Sequence, residues 1–157
     1  MFSRVEDHHA IGFGVEIPAE GVEFEALKTH ALEAERLGYH SIWLVDHLLT
    51  MNFPHGYSQP DAWTTTTALL ASTEHIHAGA MVFCNAFRHA PLMANAVATL
   101  DRTSRGRVEF AIGAGWHERE FLAYGYPFPP AAVRLAMLEE ALLIYKKMWT
   151  EDNASFT

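Results

Sequence analysis

Apolar, strand-like runs alternate with helix-like segments along almost the whole chain, and this alternation restricts the possible folds more than any other feature. Ser41–Val45 reads SIWLV, a continuous apolar run of strand length that is typical of a strand buried on both faces of a parallel sheet. Phe24–Leu37 has apolar or small residues at helical spacing, and Gly38 follows where glycine commonly ends a helix. Strands that alternate with helices predict an α/β fold with a parallel sheet.

The same patterns divide the chain into four strand–helix units. The predicted strands are Ala10–Ile17, Ser41–Val45, Ile76–Cys84 and Arg107–Ile112. The predicted helices are Phe24–Leu37, a helix capped by Asp61 that ends near Thr73, one that begins at Pro91 and ends at 104–106, and a last helix with a stripe of Leu135, Leu138, Leu142, Tyr145 and Trp149. We expect this stripe, together with Phe24 and Leu27, to be core. A further helical turn is expected near Glu118–Tyr124. We expect one domain over 1–157, with frayed ends at 1–9 and 151–157.

Charge and composition exclude several classes of partner. Lys plus Arg number 11 against 19 for Asp plus Glu, a formal charge of −8, and there is no basic cluster of the kind that a nucleic-acid partner requires. No stretch approaches the roughly 20 apolar residues of a membrane span, and the N-terminus lacks the apolar core of a signal peptide. Because Cys84 is the single cysteine and has no partner for an internal disulfide, we expect a cytoplasmic protein.

Two long loops, 46–60 and 113–130, follow the second and fourth strands, at the edge where parallel α/β folds bind ligands. Asp46 and His47 open the first of these loops. They are either a turn residue beside a surface histidine or a hydrogen-bonded pair in which His47 relays a proton near neutral pH. Gly113 and Gly115 open the second loop. They either form a tight turn with positive φ or leave room for a flat ring at the strand end.

The third strand ends in a second group of candidates. Cys84 is expected to be a small buried hydrophobe rather than a nucleophile. Asn85 either donates to a ligand carbonyl or caps the turn. Arg88 either holds an anion at the next helix start or, as we favour, pairs with an acidic side chain.

No metal site is predicted. The segment that begins at His117 and Glu118 resembles the HExxH zinc motif, but Phe121 occupies the second histidine position. No histidine pair has ligand spacing with other support.

Four groups of residues together resemble the bacterial luciferase-like monooxygenase family, in the same order and spacing. They are 38–47 (GYHSIWLVDH), 84–91 (CNAFRHAP), 99–107 (TLDRTSRGR), and 113–121 with 124–129 (GAGWHEREF and YGYPFP). The resemblance extends from about Ile11 to Trp149 and is greatest for the branch that uses the deazaflavin coenzyme F-420, although users of FMN share these motifs.

The resemblance implies a TIM-barrel-type fold, of which the chain would hold about four of the eight parallel βα units; a complete barrel takes about 250 residues, against 157 here. It also implies an oxidoreductase that binds reduced FMN or F-420 at the carboxyl edge of the strands and moves a hydride or activates oxygen on a small-molecule substrate. The phosphate-binding loops of the family lie in the later units.

Residue roles follow from the same resemblance. It implies a non-proline cis peptide near Met81–Val82 behind the ring and places Asp46 and His47 beside the ring as catalytic residues. Further cofactor contacts would come from Cys84 and Asn85 at the ring edge, from a wall of Gly113, Gly115 and Trp116, and from His117, which stands where the family usually has Asn.

An alternative is a non-catalytic half barrel or interaction subunit. A half barrel leaves two strand edges unpaired, and unpaired edges favour association. We therefore also expect a homodimer or a complex with a complementary half barrel.

Overall fold

Four parallel strands form one sheet in the computed structural model of the chain, which describes residues 11–51 and 59–156. The strands are β1 (Gly14–Glu16), β2 (Ser41–Leu44), β3 (His77–Cys84) and β4 (Val108–Gly113), and they lie in the order β1-β2-β3-β4. Each strand pairs in parallel with the next one along the chain. The predicted parallel α/β fold is confirmed, and only the first strand is clearly shorter than the apolar run that predicted it.

Helices fill the connections between the strands. They are α1 (Phe24–Arg36), α2 (Ala62–Ser72), α3 (Ala90–Ser104), α4 (Glu118–Ala123) and α5 (Ala131–Thr150), with a short 3-10 turn at Asn85–Phe87. Asp61 caps α2 as predicted, since its Oδ1 accepts a hydrogen bond of 2.7 Å from the Thr64 amide. Gly38 has a φ of +80° just after α1, a conformation that glycine adopts without a steric cost.

The two faces of the sheet have different environments. Ile42, Leu44, Ala78 and Ala80 alternate along β2 and β3 towards the helices, and each is at most 2% exposed. Residues of the opposite parity point to the other face, which we call the open face because no described helix covers it. It carries Glu16, Trp43, His77, Met81 and Glu109.

A second, smaller apolar cluster lies beyond the carboxyl end of β3, apart from the main core. Its buried members are Cys84, Phe87 and Phe121, and Leu48, Ala86, Tyr126 and Phe128 pack against them. The Phe87 and Phe121 ring centroids are 5.1 Å apart. This cluster fixes the segment that contains α4 to the end of the sheet.

The predicted core stripe of α5 is largely wrong. Tyr145 is buried at 2% exposure, but Leu135 and Leu142 are 59% and 48% exposed, and Trp149 is 42% exposed. The helix contacts the rest of the molecule along a narrow line, where Tyr145 meets the Phe110 ring and the Trp149 indole N–H donates to the Ala94 carbonyl. Helical spacing identifies an apolar face, but it does not show whether another element covers that face. Phe24, also expected in the core, is 37% exposed, whereas Leu27 is buried.

Glu35 connects α1 to the start of β3. Its carboxylate accepts hydrogen bonds from three consecutive backbone amides, those of Glu74, His75 and Ile76, with the shortest at 2.7 Å. Burial alone would raise the pKa of Glu35, but these three donors outweigh it, and the pKa is lowered. The charged form therefore holds the amino end of β3 in place.

The predicted frayed N-terminus and part of the first long loop lie outside the described residues. Residues 1–9 and part of the 46–60 loop are not described, and residues 151–156 form neither helix nor strand. Among the described helices, none combines the length and the apolar character needed to cross a bilayer.

We predict that Glu35→Ala lowers the free energy of unfolding by about 2–3 kcal/mol, because three amides lose a charged acceptor. Urea unfolding at neutral pH measures the change. Glu33→Ala is the matched control in the same helix, since Glu33 pairs only with the exposed Arg36. Equal losses for the two variants would contradict the role given to Glu35. Because the folded-state pKa of Glu35 is lowered, its contribution should disappear as the pH falls through that pKa.

Candidate functional site

A cleft of about 140 Å³ lies at the carboxyl ends of β2, β3 and β4. It is the edge at which the sequence predicts a ligand site. Its lining residues are Val45, Asp46, His47, Met81, Val82, Phe83, Cys84, Gly113, Gly115, Trp116 and Glu120. Eight of the ten residues predicted from the sequence line it, and the structure thus brings together residues from three strand ends.

Asp46 forms the floor of the cleft and is held in place by two groups. One carboxylate oxygen accepts from the Cys84 amide at 2.8 Å, and both oxygens accept from the Arg88 guanidinium at 2.6 and 2.9 Å. The side chain of Asp46 is 1% exposed, and Arg88 also contacts Asp61 at 2.5 Å. Burial would lower the pKa of Arg88, but the hydrogen bonds with Asp46 outweigh it and raise the pKa, so the pair is ionic.

Of the two alternatives for Asp46 and His47, a hydrogen bond between the two side chains is not the arrangement that forms. Asp46 bonds across to the end of β3, while His47 bonds to a residue far along the chain. Asp46 acts as a positioning residue, because its carboxylate oxygens are engaged by Cys84 and Arg88. Of the two alternatives for Arg88, pairing with acidic side chains is the one that the structure shows.

His47 pairs with Glu120, which lies on α4. The His47 Nδ1 is 3.0 Å from one Glu120 oxygen, and the other oxygen accepts from the Leu48 amide at 2.9 Å. The Glu120 side chain is only 3% exposed. With Nδ1 engaged by a carboxylate, any proton that His47 exchanges with a ligand would use Nε2.

The pair changes the acidity of both groups. The hydrogen bond to Glu120 raises the pKa of His47 above its ordinary value, although burial acts in the opposite direction. Burial would raise the pKa of Glu120, but the hydrogen bonds from His47 and Leu48 outweigh it and lower the pKa. Around neutral pH the pair therefore favours a carboxylate beside an imidazole of increased basicity.

Glu120 is the site residue that the sequence analysis missed. It lies next to Phe121, which is fully buried, so its carboxylate is carried into the interior along with the ring. An acidic residue beside a buried aromatic on a short helix after the fourth strand was the available signal. The zinc-motif, helical-turn and family-resemblance interpretations of this segment assign no role to Glu120.

Two glycines shape one side of the cleft for different reasons. Gly115 has a φ of +78°, and an added Cβ would lie 2.5 Å from the Phe121 ring and 2.8 Å from the Cys84 sulfur. The tight-turn alternative is thus correct at Gly115. An added Cβ at Gly113 would lie 2.8 Å from a Val82 methyl carbon, so the missing side chain lets Val82 pack directly against the strand end.

β3, the strand that pairs with β4 beside these glycines, contains the cis peptide that the resemblance implies. The Met81–Val82 peptide bond is cis, and the pairing register with β4 shifts between Ala80 and Phe83. Met81 and Val82 are 55% and 44% exposed, so both present apolar surface to the cleft. The exposed Trp116 lies at the rim, with its ring centroid 5.8 Å from that of His47.

Cys84 lines the cleft without the properties of a nucleophile. Burial raises the pKa of its thiol to about 11, so the thiolate is scarce near neutral pH. This agrees with the expectation of a small buried hydrophobe.

Asn85 and His117 do not line the cleft. The 3-10 turn that starts at Asn85 redirects its side chain, whose amide donates to the Met137 carbonyl at 3.3 Å beside a separate pocket. His117 precedes α4 at the N-cap position, with its ring centroid 6.3 Å from that of His47. It lies next to the cleft rather than in its wall.

Comparison with known proteins identifies the family. The family model described as luciferase-like monooxygenase matches residues 8–157. The chain belongs to this family. Its resemblance in sequence, read from four groups of motifs, is therefore confirmed.

Relatives in the family include users of both cofactors. The chain is 31% identical over 144 residues to an F420-dependent glucose-6-phosphate dehydrogenase of Amycolatopsis mediterranei, covering 91% of this chain and 43% of the relative. It is 33% identical over 126 residues to an FMNH2-dependent dimethylsulfone monooxygenase of Pseudomonas putida, covering 78% of this chain and 33% of the relative. The chain thus spans less than half the length of these relatives.

Solved structures show the same fold. An F420-dependent secondary alcohol dehydrogenase in complex with an F420–acetone adduct superposes with a TM-score of 0.82 at 26% identity, covering 93% of this chain and 44% of that one. The oxygenating constituent of 3,6-diketocamphane monooxygenase from Pseudomonas putida, in complex with FMN, gives a TM-score of 0.77 at 20% identity, covering 94% and 42%. The four βα units are those of a TIM-barrel-type enzyme.

We predict that Asp46→Asn lowers the free energy of unfolding by about 3 kcal/mol, the lower end for a broken buried pair, because it removes the buried charged partner of Arg88 and leaves only the more exposed Asp61. Chemical denaturation gives the value. Asp152→Asn, in the exposed tail, is the control and should leave stability nearly unchanged. A loss below about 1 kcal/mol for Asp46→Asn would show that the pair does not hold the strand ends.

We also predict that the pKa of His47 lies above its ordinary value in this chain and falls in Glu120→Gln, because the hydrogen bond that contributes most to the rise is lost and only the weaker effects of Asp46 and Glu20 still oppose burial. NMR titration of the His47 ring protons measures both. An unchanged pKa in Glu120→Gln would contradict the pairing.

The same pair sets a pH window for stability. The contribution of His47 is complete below its unfolded pKa, about 6.5, and is lost as the pH rises through its raised folded pKa. The contribution of Glu120 is complete above its unfolded pKa, about 4.5, and is lost as the pH falls through its lowered folded pKa.

Proposed function

We propose that this chain forms one wall of an oxidoreductase site that holds the ring of FMN or of the deazaflavin coenzyme F-420 and acts on a small-molecule substrate. The observation that carries the proposal is the cleft wall built from Met81, Val82 and Gly113. Met81 and Val82 are exposed, and Val82 packs against a position that has no side chain, so this wall is apolar and suits a flat and largely apolar ring. The names of relatives that use F420 or FMN support the same choice of cofactors.

When bound, the ring supplies the redox chemistry, either by hydride transfer or by activating oxygen. The chain's own residues bind, orient and move protons. His47, held at Nδ1 by Glu120, takes up or gives a proton at Nε2, and the carboxylate makes it a stronger base than a solvent-exposed histidine. No protein nucleophile is required, which fits the raised pKa of Cys84.

The described part of the chain offers residues that could contact the ring, but no basic side chain that is placed to bind the cofactor phosphate. None of the described residues lining the cleft is Lys or Arg. Arg88 is engaged by Asp46 and Asp61, and Arg134 donates to the Gly115 carbonyl and packs over the Phe128 ring. The cleft of about 140 Å³ is also smaller than the roughly 300–1000 Å³ of common ligand pockets. Groups from outside the described residues must therefore complete the site.

We further propose that 1–157 folds as one domain that associates through its sheet edges, with a complementary half barrel or a second copy. β1 and β4 lie at the two ends of the described sheet, where unpaired backbone groups favour strand addition. We also propose a cytoplasmic location, which the presence of a single cysteine supports because it can form no internal disulfide. A non-catalytic interaction subunit would share this association but would not bind the cofactor.

We predict that adding FMN or F-420 to the purified chain quenches cofactor fluorescence on binding, and that Gly113→Val weakens binding about tenfold or more, because the added side chain displaces Val82 from the wall. Ala132→Val, on an exposed position of α5, is the matched control. If the unaltered chain binds neither cofactor, the oxidoreductase proposal fails for this chain and the interaction-subunit alternative is favoured. Equal binding by Gly113→Val would place the ring elsewhere.

The association is predicted separately. Light scattering of the purified chain should give a mass above that of a 17.6 kDa monomer, and the fraction of larger species should rise with concentration. A monomer at every concentration would contradict self-association. Binding to a complementary half would then be the remaining form of the proposal, and co-purification with that half would test it.

A further inference from the structure

Three residues that are far apart in the chain come together at the amino ends of the strands. His40 immediately precedes β2, His77 is the first residue of β3, and Glu109 is the second residue of β4. The His77 Nδ1 lies 3.0 Å from a Glu109 oxygen, and the His40 and His77 rings stack with centroids 4.5 Å apart. One ligand atom from each of the three residues lies within 4.8 Å of the other two.

The strand register explains this meeting. Ser41 pairs with His77, so His40 lies one step before that pair. Gly79 pairs with Glu109 and contributes no side chain, so the Glu109 carboxylate reaches along the open face to His77. An added Cβ at Gly12 would lie 3.1 Å from the His40 ring, so the small residue there leaves room for the imidazole.

We propose that His40, His77 and Glu109 bind a divalent transition-metal ion, Zn²⁺ in the first instance, at the amino ends of the strands. Two imidazole nitrogens and a carboxylate oxygen are ligands that Zn²⁺ commonly takes, with water as the fourth ligand. The site is independent of the proposed cofactor cleft and adds a second binding function to the chain.

The geometry needs only small side-chain movements. Zinc ligands at about 2.0–2.1 Å from the metal lie about 3.3 Å from one another in a tetrahedron. The present spread of up to 4.8 Å closes by rotation of side chains that are exposed or half-buried, which keep rotamer freedom.

Charge also favours a cation at this place. Glu109 contributes a carboxylate, an anionic oxygen ligand, 3.0 Å from the His77 ring nitrogen. The formal charge of −8 attracts cations to the molecule as a whole.

The sequence analysis predicted no metal site because it looked for ligand spacing within one segment. Here each ligand comes from a different strand or strand entry, and only the sheet register unites them. β3 separates this site from the cleft: His77 is its first residue and Cys84 its last, so the two sites are about 20 Å apart. The ion would join the starts of three neighbouring strands, and its effect would be on stability rather than on redox chemistry.

The test is a titration of the metal-free full chain with Zn²⁺ alone, followed by calorimetry and by thermal unfolding. We expect one ion per chain, a micromolar Kd, and a rise in Tm with zinc concentration. His40→Ala and His77→Ala should each weaken binding about tenfold or more. His75→Ala, which removes an exposed histidine two positions before His77, is the matched control and should bind as the unaltered chain does.

Glu109→Gln guards against misfolding as a cause of lost binding, because the amide oxygen can still accept from His77 while the anionic ligand is removed. It should fold normally by circular dichroism and bind zinc more weakly. No stoichiometric binding by the unaltered chain would overturn the proposal. Unchanged binding in His40→Ala and His77→Ala would overturn it too, since the ion would then be held by other histidines.

Discussion

The ion pair between the buried Asp46 and the partly buried Arg88 is the interaction on which the carboxyl edge of the sheet depends. It binds the end of β2 to the amide of the last β3 residue, and through Asp61 it reaches the start of α2. Removing charged groups from water costs free energy unless they form hydrogen bonds in exchange. The Asp46 carboxylate accepts three such bonds, one from the Cys84 amide and two from Arg88. Because Asp46 is fixed, the backbone of the adjacent His47 is also held in place, and its side chain lies within reach of Glu120.

The open face of the sheet separates two kinds of chemistry along the strands. At the carboxyl ends, apolar side chains and glycines border a cleft that contains the hydrogen-bonded His47–Glu120 pair. At the amino ends, imidazoles and a carboxylate lie side by side. Backbone pairing is continuous between them apart from the shift at Ala80–Phe83. Because one sheet carries both groups of residues, the cleft and the cluster of His40, His77 and Glu109 stay at a fixed distance from each other. A side-chain substitution at one end of the sheet can therefore leave the other end unaltered.

Sequence patterns predicted the elements of the fold well, because strands and helices depend on local periodicity. The SIWLV run, the Asp61 cap and the glycine after α1 all appear where expected. Most of the cleft was also predictable, since parallel strands place their ends at one edge. The partner of His47 was not, because Glu120 lies 73 residues away and reaches it only through the fold. The α5 stripe failed for a related reason: spacing shows which residues share a face, but the neighbour that would cover it is a property of the whole molecule.

The small cluster around Phe87 and Phe121 makes the segment that contains α4 a separate unit of local unfolding. This cluster is separate from the main core, so its opening free energy is set by a few aromatic contacts rather than by the sheet. Local opening of this segment would separate Glu120 from His47 while the strands remain paired. The basicity of the imidazole then becomes a population average over closed and open forms, and hydrogen exchange at the α4 amides would report on the same equilibrium that sets it.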